Sequence, residues 1–258
     1  MRLPTAPDLS ASTQNQRTLT LAEHLEELRR RLGLCLAVLL LAVAIAFTQA
    51  DRLLGWLQQP VIAIVPRFAY FSPTEPLLAY LRLAALGGLI LAMPALLWQV
   101  WGFVRTGLTA RERMLGLVFV GWGSVQFLAG VAFAYYWLLP ASLHFLLGIG
   151  RHRLEPMVSV DAYLSFVTAL IGWCGVVFEL PVVLFILAKA GVVTSEWLRQ
   201  QRAYAILVLV IIAAVITPTT DPVNLLLMSV PLVLLYESSI VITRWAMSRT
   251  SSSRGGLQ

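Results

Sequence analysis

Charge is scarce in this sequence. Asp, Glu, Lys and Arg make up 12% of its 258 residues while 59% are hydrophobic, against about 25% charged and 45–50% apolar in soluble domains. That balance excludes a soluble globular chain and points to a polytopic membrane protein whose solvent is lipid. Histidine is almost missing: His24, His144 and His152 all fall outside the apolar runs or at their edges. No HExxH, GxSxG or Walker loop is present, so the chain lacks the equipment for hydrolysis, metal chemistry or nucleotide use, and no cofactor or metal is expected. The two cysteines, Cys35 and Cys174, sit inside apolar runs. They are too few and too badly placed for a disulfide framework and read as small buried hydrophobes. No internal repeat is visible, which leaves an inverted-repeat transporter without support. Arg29–Arg31, Leu32–Phe47 and Thr48-Gln49-Ala50 faintly resemble a signal peptide. The stretch before them is too long and many spans follow, so a retained first span is expected.

What the sequence does have is apolar runs of membrane length. Six candidates appear: Leu32–Gln49, Leu77–Phe103, Met114–Leu139, Tyr163–Ala188, Ala203–Thr217 and Val223–Thr243. The first four are long enough to cross a hydrocarbon core, which takes about 20 residues. The fifth reaches only about 22 Å at 1.5 Å per residue. The sixth is interrupted by Glu237 and leaves a comparably short clean stretch.

Six spans put both termini on one side, and the cations say which side. Of the nineteen Lys and Arg residues, fourteen fall on the side of the termini; Arg52, Arg67, Arg151 and Arg153 fall opposite, and Arg82 lies within span two. The positive-inside rule therefore makes both termini cytoplasmic. The net charge of +6 follows from this Arg placement and does not indicate nucleic acid. The two long outer connections, Ala50–Pro76 and Pro140–Ala162, mix apolar residues with prolines and read as an outer cap with short interfacial helices. Residues 1–19 and 245–258 are polar and expected to be disordered tails around a membrane domain at 20–244.

A few polar residues need explaining. Thr20-Leu21-Ala22-Glu23 is a capping-box pattern that starts a helix with Leu21, Leu25, Leu28 and Leu32 on one face. Glu27 with Arg31, and Glu26 with Arg30, form possible i,i+4 pairs. This entry helix reads either as a surface-lying amphipathic helix with solvated charges or as a carboxylate site at the membrane boundary. Arg111-Glu112-Arg113 sits in a tight turn behind Trp98, Trp101 and Phe103, an apparent aromatic belt. Alone, a surface Glu flanked by two Arg is usually just a solvated, self-neutralised turn. Glu179 and Glu237 lie inside spans, where a charge costs a few kcal/mol. Glu179, in GWCGVVFELPVVLF, is either a hydrogen-bonded structural residue or part of a functional polar patch. Pro94, Pro181 and Pro231 bend three helices, giving an all-α bundle of six transmembrane helices with a concave face.

These pieces, in this order, resemble the TatC family, the multi-spanning subunit of the twin-arginine protein translocase. The resemblance rests on HLEELRRRL at 24–32, FSPTEPLLAYLRL at 71–83, PALLWQVWGF at 94–103, GLTARER at 107–113, YLSFVTALIGWCGVVFELPV at 163–182, TPTTDP at 217–222 and PLVLLYE at 231–237. It implies a non-enzymatic receptor for twin-arginine signal peptides. Such a receptor partners with the single-span TatA and TatB subunits and helps export folded proteins on the proton-motive force. By motif match, Glu27 and Glu112 would bind the arginine pair, and Arg29 and Phe103 would add to that surface. Pro60 would lie in the first outer loop and Asp221 in the short outer turn, with Glu179 as the intramembrane polar patch. Two places depart from the family pattern: Arg105-Thr106 stands where a proline-containing turn is usual, so that helix termination falls to Gly107, and Leu225 stands where Gln is frequent. The rival readings are a proton- or ion-coupled solute transporter using Glu179, and an intramembrane enzyme, which the missing nucleophile–base pair disfavours.

Overall fold

The computed structural model describes residues 21–62, 68–104, 116–148, 157–189, 191–216 and 222–252. Apolar runs without nearby water must satisfy their backbone internally, and they do so as helices. Among the described residues there is no strand, only an isolated bridge between Ala69 and Ser159. The helices are α1 (Leu21–Phe47), α2 (Ala50–Gln58), α3 (Glu75–Val104), α4 (Gly116–Phe133), α5 (Leu139–Gly148), α6 (Val160–Phe178), α7 (Leu180–Lys189), α8 (Ser195–Gln200), α9 (Arg202–Ile216) and α10 (Pro222–Ser252). Five continuous apolar stretches are long enough to cross a membrane: Leu25–Phe47, Glu75–Val104, Val118–Gly148, Val160–Lys189 and Pro222–Arg244; the sixth apolar helix, Arg202–Val215, is shorter. The protein is an all-α, multi-pass membrane protein. The end of the bundle at which α1 starts is called the entry end below, and the other the far end.

The span formed by α6 and α7 is the centre. Half of its most apolar stretch is buried, against 11% in α1, which lies at the outside. Phe127 of α4, Leu83 of α3, Leu164, Leu170 and Ile171 of α6, and Met228 and Leu232 of α10 are fully buried. In lipid such packing depends on close backbone approach, which small residues allow. α1 packs along α3, and a Cβ on Gly88 would run into the backbone of Val43. An apolar cleft of about 720 Å3 opens between α1, α2, α3 and α4, walled by Ile45, Leu53, Leu86, Ile90, Leu128 and Val131.

Several sequence expectations need correction. The entry segment is no separate surface helix: α1 runs unbroken through it into span one. Leu25, Leu28 and Leu32 are exposed, as suits a helix that carries its leucines into lipid. Span three does not stop before Pro140. A π-turn at Ala134–Leu138, in which Leu139 N–H donates to Ala134 O, carries the helix past the proline to Gly148; the wider turn gives the proline ring room it would lack in a regular α-turn. Span six is not short, because Glu237 is level with Arg202 at the entry end and pairs with it, Nη2 to Oε2 at 2.5 Å. α10 then continues to Ser252, beyond the expected limit at 244, since no Gly or Pro breaks the sequence until Gly255. Residues 1–19 lie outside the described residues.

Pro94 and Pro231 sit inside helices that continue on both sides. The chain breaks instead at Glu179, two residues before Pro181. Pro181 cannot donate to Val177 O, and the Glu179 N–H turns back to Val176 O and Val177 O. At the end of α7, Gly191 adopts φ +74°. Its N–H donates to Ala188 O and that of Val192 to Leu187 O, a Schellman closure that needs a residue tolerant of the left-handed region.

At the far end the two long connections meet. Ala69 N–H donates to Val158 O and Val160 N–H to Ala69 O, and Phe68 stacks on Tyr163 with centroids 4.7 Å apart. Ser159 caps α6, accepting from Asp161 N and Ala162 N while donating to Glu75 Oε2 at 2.9 Å. Arg82 pairs with Asp161, and Tyr80 donates to Asp51. Tyr163 and Tyr135 donate to Leu57 O and Trp56 O, satisfying carbonyls at the end of α2. The cation found inside span two therefore belongs to the far end.

Candidate functional site

Glu27 lies on α1 one turn before Arg31, and the helix brings the two together. Arg31 Nε and Nη2 both donate to Glu27 Oε1, at 3.0 and 2.7 Å. The pair is turned toward α3, where Arg31 Nη1 lies 3.4 Å from both the main-chain O and the Oε1 of Gln99. The side chains of Arg31 and Glu27 are only 12% and 17% exposed, so the interaction is shielded more than an ordinary surface pair. The other possible pair is not formed: Glu26 and Arg30 are both exposed, on the side of α1 away from α3.

The site's second wall is the last turn of α3. Trp101 is no membrane-surface aromatic. It is 6% exposed, stacks on Phe119 of α4 at 5.0 Å and packs with Val182 and Ile186 of α7, whereas Trp98 faces outward. Gly102 faces Arg31 directly, and a Cβ there would overlap the guanidinium. Phe103, next along the chain, is half-buried. Arg29 is exposed and, two residues on from Glu27, points to the opposite face of α1. The Glu27–Arg31 pair is thus brought to Gln99 and Gly102 of α3 through Arg31, and Arg29 is not brought to them. Glu112 and the residues Arg105, Thr106 and Gly107 lie outside the described residues, as does Asp221. Pro60 is half-buried in the turn that ends α2, at the far end. Leu225, in place of the frequent Gln, packs against the apolar core.

Glu179 stands apart, within the membrane span. It is 5% exposed, and neither carboxylate oxygen has a hydrogen-bond partner among the described residues. Its Oε2 lies over the bare face of Gly123 on α4, where a Cβ would come within 3.1 Å of it, beside Leu97 of α3. It does not line the apolar cleft. A buried acceptor left unmet costs about 1–3 kcal/mol, and more for a charged group.

Reading the sequence identified Glu27, Arg31 as its possible partner, and Glu179. It missed Gln99 and Gly102. The signal for them is weak, because a Gly in an apolar helix marks close approach without naming the neighbour.

Known proteins resemble this chain in sequence and fold. The family model described as Sec-independent protein translocase protein (TatC) matches residues 23–231. A Sec-independent protein translocase protein TatC from Carboxydothermus hydrogenoformans is 38% identical over 88% of this chain and 93% of its own length. Another, from Aquifex aeolicus, is 39% identical over 88% of this chain and 95% of its own. A crystal structure described as the twin-arginine translocase receptor TatC superposes with a TM-score of 0.79 at 38% identity, covering 87% of this chain and all of that one. These matches span the helices that build both the Glu27 cluster and the Glu179 break, and the chain belongs to the TatC family of Sec-independent protein translocase proteins.

Proposed function

We propose that this subunit of the twin-arginine translocase is the receptor for the signal peptide. Its entry end is cytoplasmic, and Glu27, with Glu112, binds the peptide's arginine pair. The observation that carries the reading is the Glu27 carboxylate itself, a shielded anion at the membrane boundary whose Oε2 accepts no hydrogen bond from the described residues. A guanidinium forms short charge-assisted bonds to such an oxygen, and two arginines match two carboxylates. Phe103 borders the surface, Arg29 on the opposite face of α1 stays outside it, and the apolar part of the signal then runs along the spans. The asymmetry of Arg supports an entry end on the inside, and the pairing of Arg82 at the far end leaves that direction unchanged.

TatA and TatB are the partners in this reading, folded proteins bearing the signal are the cargo, and the proton-motive force is the energy source. Glu179 is the polar contact point for a partner or cargo inside the membrane. Family membership does not favour a coupled solute transporter. The test is a titration of purified protein with a fluorescent Arg-Arg signal peptide. Reversing one charge of a partly desolvated pair costs on the order of 2–5 kcal/mol. Glu27→Lys and Glu112→Lys should each nearly abolish binding at normal protein levels. Undiminished binding by both variants would place the site elsewhere.

A further inference from the structure

The contact between α1 and α3 already contains a guanidinium, and it belongs to the protein. Arg31 gives two donors to a single oxygen of Glu27 and rests its remaining nitrogen near Gln99. Its seat exists because position 102 has no side chain. Within a helix Ala is more stabilising than Gly, so Gly102, still inside α3, costs the helix some stability and leaves room for Arg31. The result is a long, flexible glutamate held by one oxygen in one direction. Oε1 is committed to the protein, and Oε2 accepts no hydrogen bond among the described residues.

We propose that Arg31, seated over Gly102, is the positioning residue of the signal-peptide site. It fixes the Glu27 side chain so that Oε2 meets the incoming guanidinium. One carboxylate is then bracketed by two guanidiniums, one resident and one brought by the ligand. Without the resident one, the Glu27 side chain would have to be ordered at the moment of binding, and that lost freedom would weaken the complex. Arg31 is not displaced in this scheme. It is nearly buried, its fork is engaged on both sides, and the room it occupies is shaped for it. The proposal rests on the reading of Glu27 as a ligand-binding carboxylate.

The experiment titrates a fluorescent Arg-Arg signal peptide into full-length protein in detergent, with thermal unfolding recorded for every variant. Apparent Kd rises in inverse proportion to the folded fraction, so each value is multiplied by the folded fraction from the unfolding curve, and a partly unfolded variant still reports. Arg31→Lys keeps the charge and loses the fork; Gly102→Ala leaves every polar group in place and fills the seat. Each should raise Kd roughly tenfold, the scale of one misplaced hydrogen bond to a charged group. In a Glu27→Gln background neither should weaken binding further, because the group they position is gone. A merely structural role would give the same penalty in both backgrounds, and that result overturns the proposal. Tighter binding in Arg31→Lys also overturns it, since Arg31 would then be a competitor of the ligand. If Glu27→Gln alone binds like the unmodified protein, the underlying reading of Glu27 fails, and that failure shows before either seat variant is compared.

Discussion

Replacing Glu179 by leucine should make the protein more stable and less able to transport. The side chain is 5% exposed, and both oxygens lack hydrogen-bond partners among the described residues. Its surroundings are the bare face of Gly123, Leu97 and the broken turn before Pro181. Leucine is of similar size, fits an apolar site and leaves no acceptor unmet. Removing one buried unsatisfied group returns about 1–3 kcal/mol, and for a chain of this size about 2 kcal/mol corresponds to a rise of roughly 4–8 °C in Tm. Glu179→Gln keeps the polarity and should fall between the two. Thermal unfolding of the three proteins in one detergent measures the first half of the claim. Export of a folded reporter from cells carrying each variant measures the second, and export should fall in the Leu variant while Arg-Arg peptide binding is kept. A Leu variant that unfolds earlier would refute the reasoning, because it would mean the carboxyl has a structural partner. Normal export would refute the role of Glu179 as a polar contact point.

Two further predictions follow from helix length and from charge placement. α9 has 15 residues, about 22 Å beside a hydrocarbon core of about 30 Å, a mismatch that local thinning of the bilayer would accommodate; if that thinning serves export, inserting four leucines into α9 should reduce export while sparing peptide binding, and normal export in a stably inserted variant would make its shortness incidental. In a background with Cys35 and Cys174 replaced by Ala, a cysteine at Gln59 should react with an impermeant thiol reagent in intact cells and one at Gln200 should not; the reverse pattern would invert the orientation proposed from the arginines.

Much of this fold was legible in run length alone. Lipid forces helices on apolar runs, so Leu77–Phe103 and Tyr163–Ala188 came within a few residues of α3 and of the α6–α7 span. The short α9 was visible for the same reason. Span ends were harder to read where two local rules compete. Pro140 reads as a stop, but a π-turn absorbs it. The charged start of α1 reads as a surface helix, but nothing in it breaks the helix before the apolar run. Trp101 reads as a membrane-surface aromatic because composition cannot tell which side of a helix meets α4 and α7. The Glu27–Arg31 pair was legible because it lies within one helix turn. Gln99 and Gly102 were not, since they join Arg31 across sixty-eight residues or more of chain. The partnership of Glu237 with Arg202, and of Arg82 with Asp161, likewise depends on which spans are neighbours.

The most direct measurement is a crosslink from the ligand. A signal peptide carrying a photoreactive residue immediately after its arginine pair is bound to the purified protein, irradiated and mapped by mass spectrometry. The account predicts crosslinks on residues 27–31 of α1 and 99–103 of α3, lost when the pair is changed to Lys-Lys. Crosslinks concentrated on α9 or at the far end, or unchanged with the Lys-Lys peptide, would contradict it.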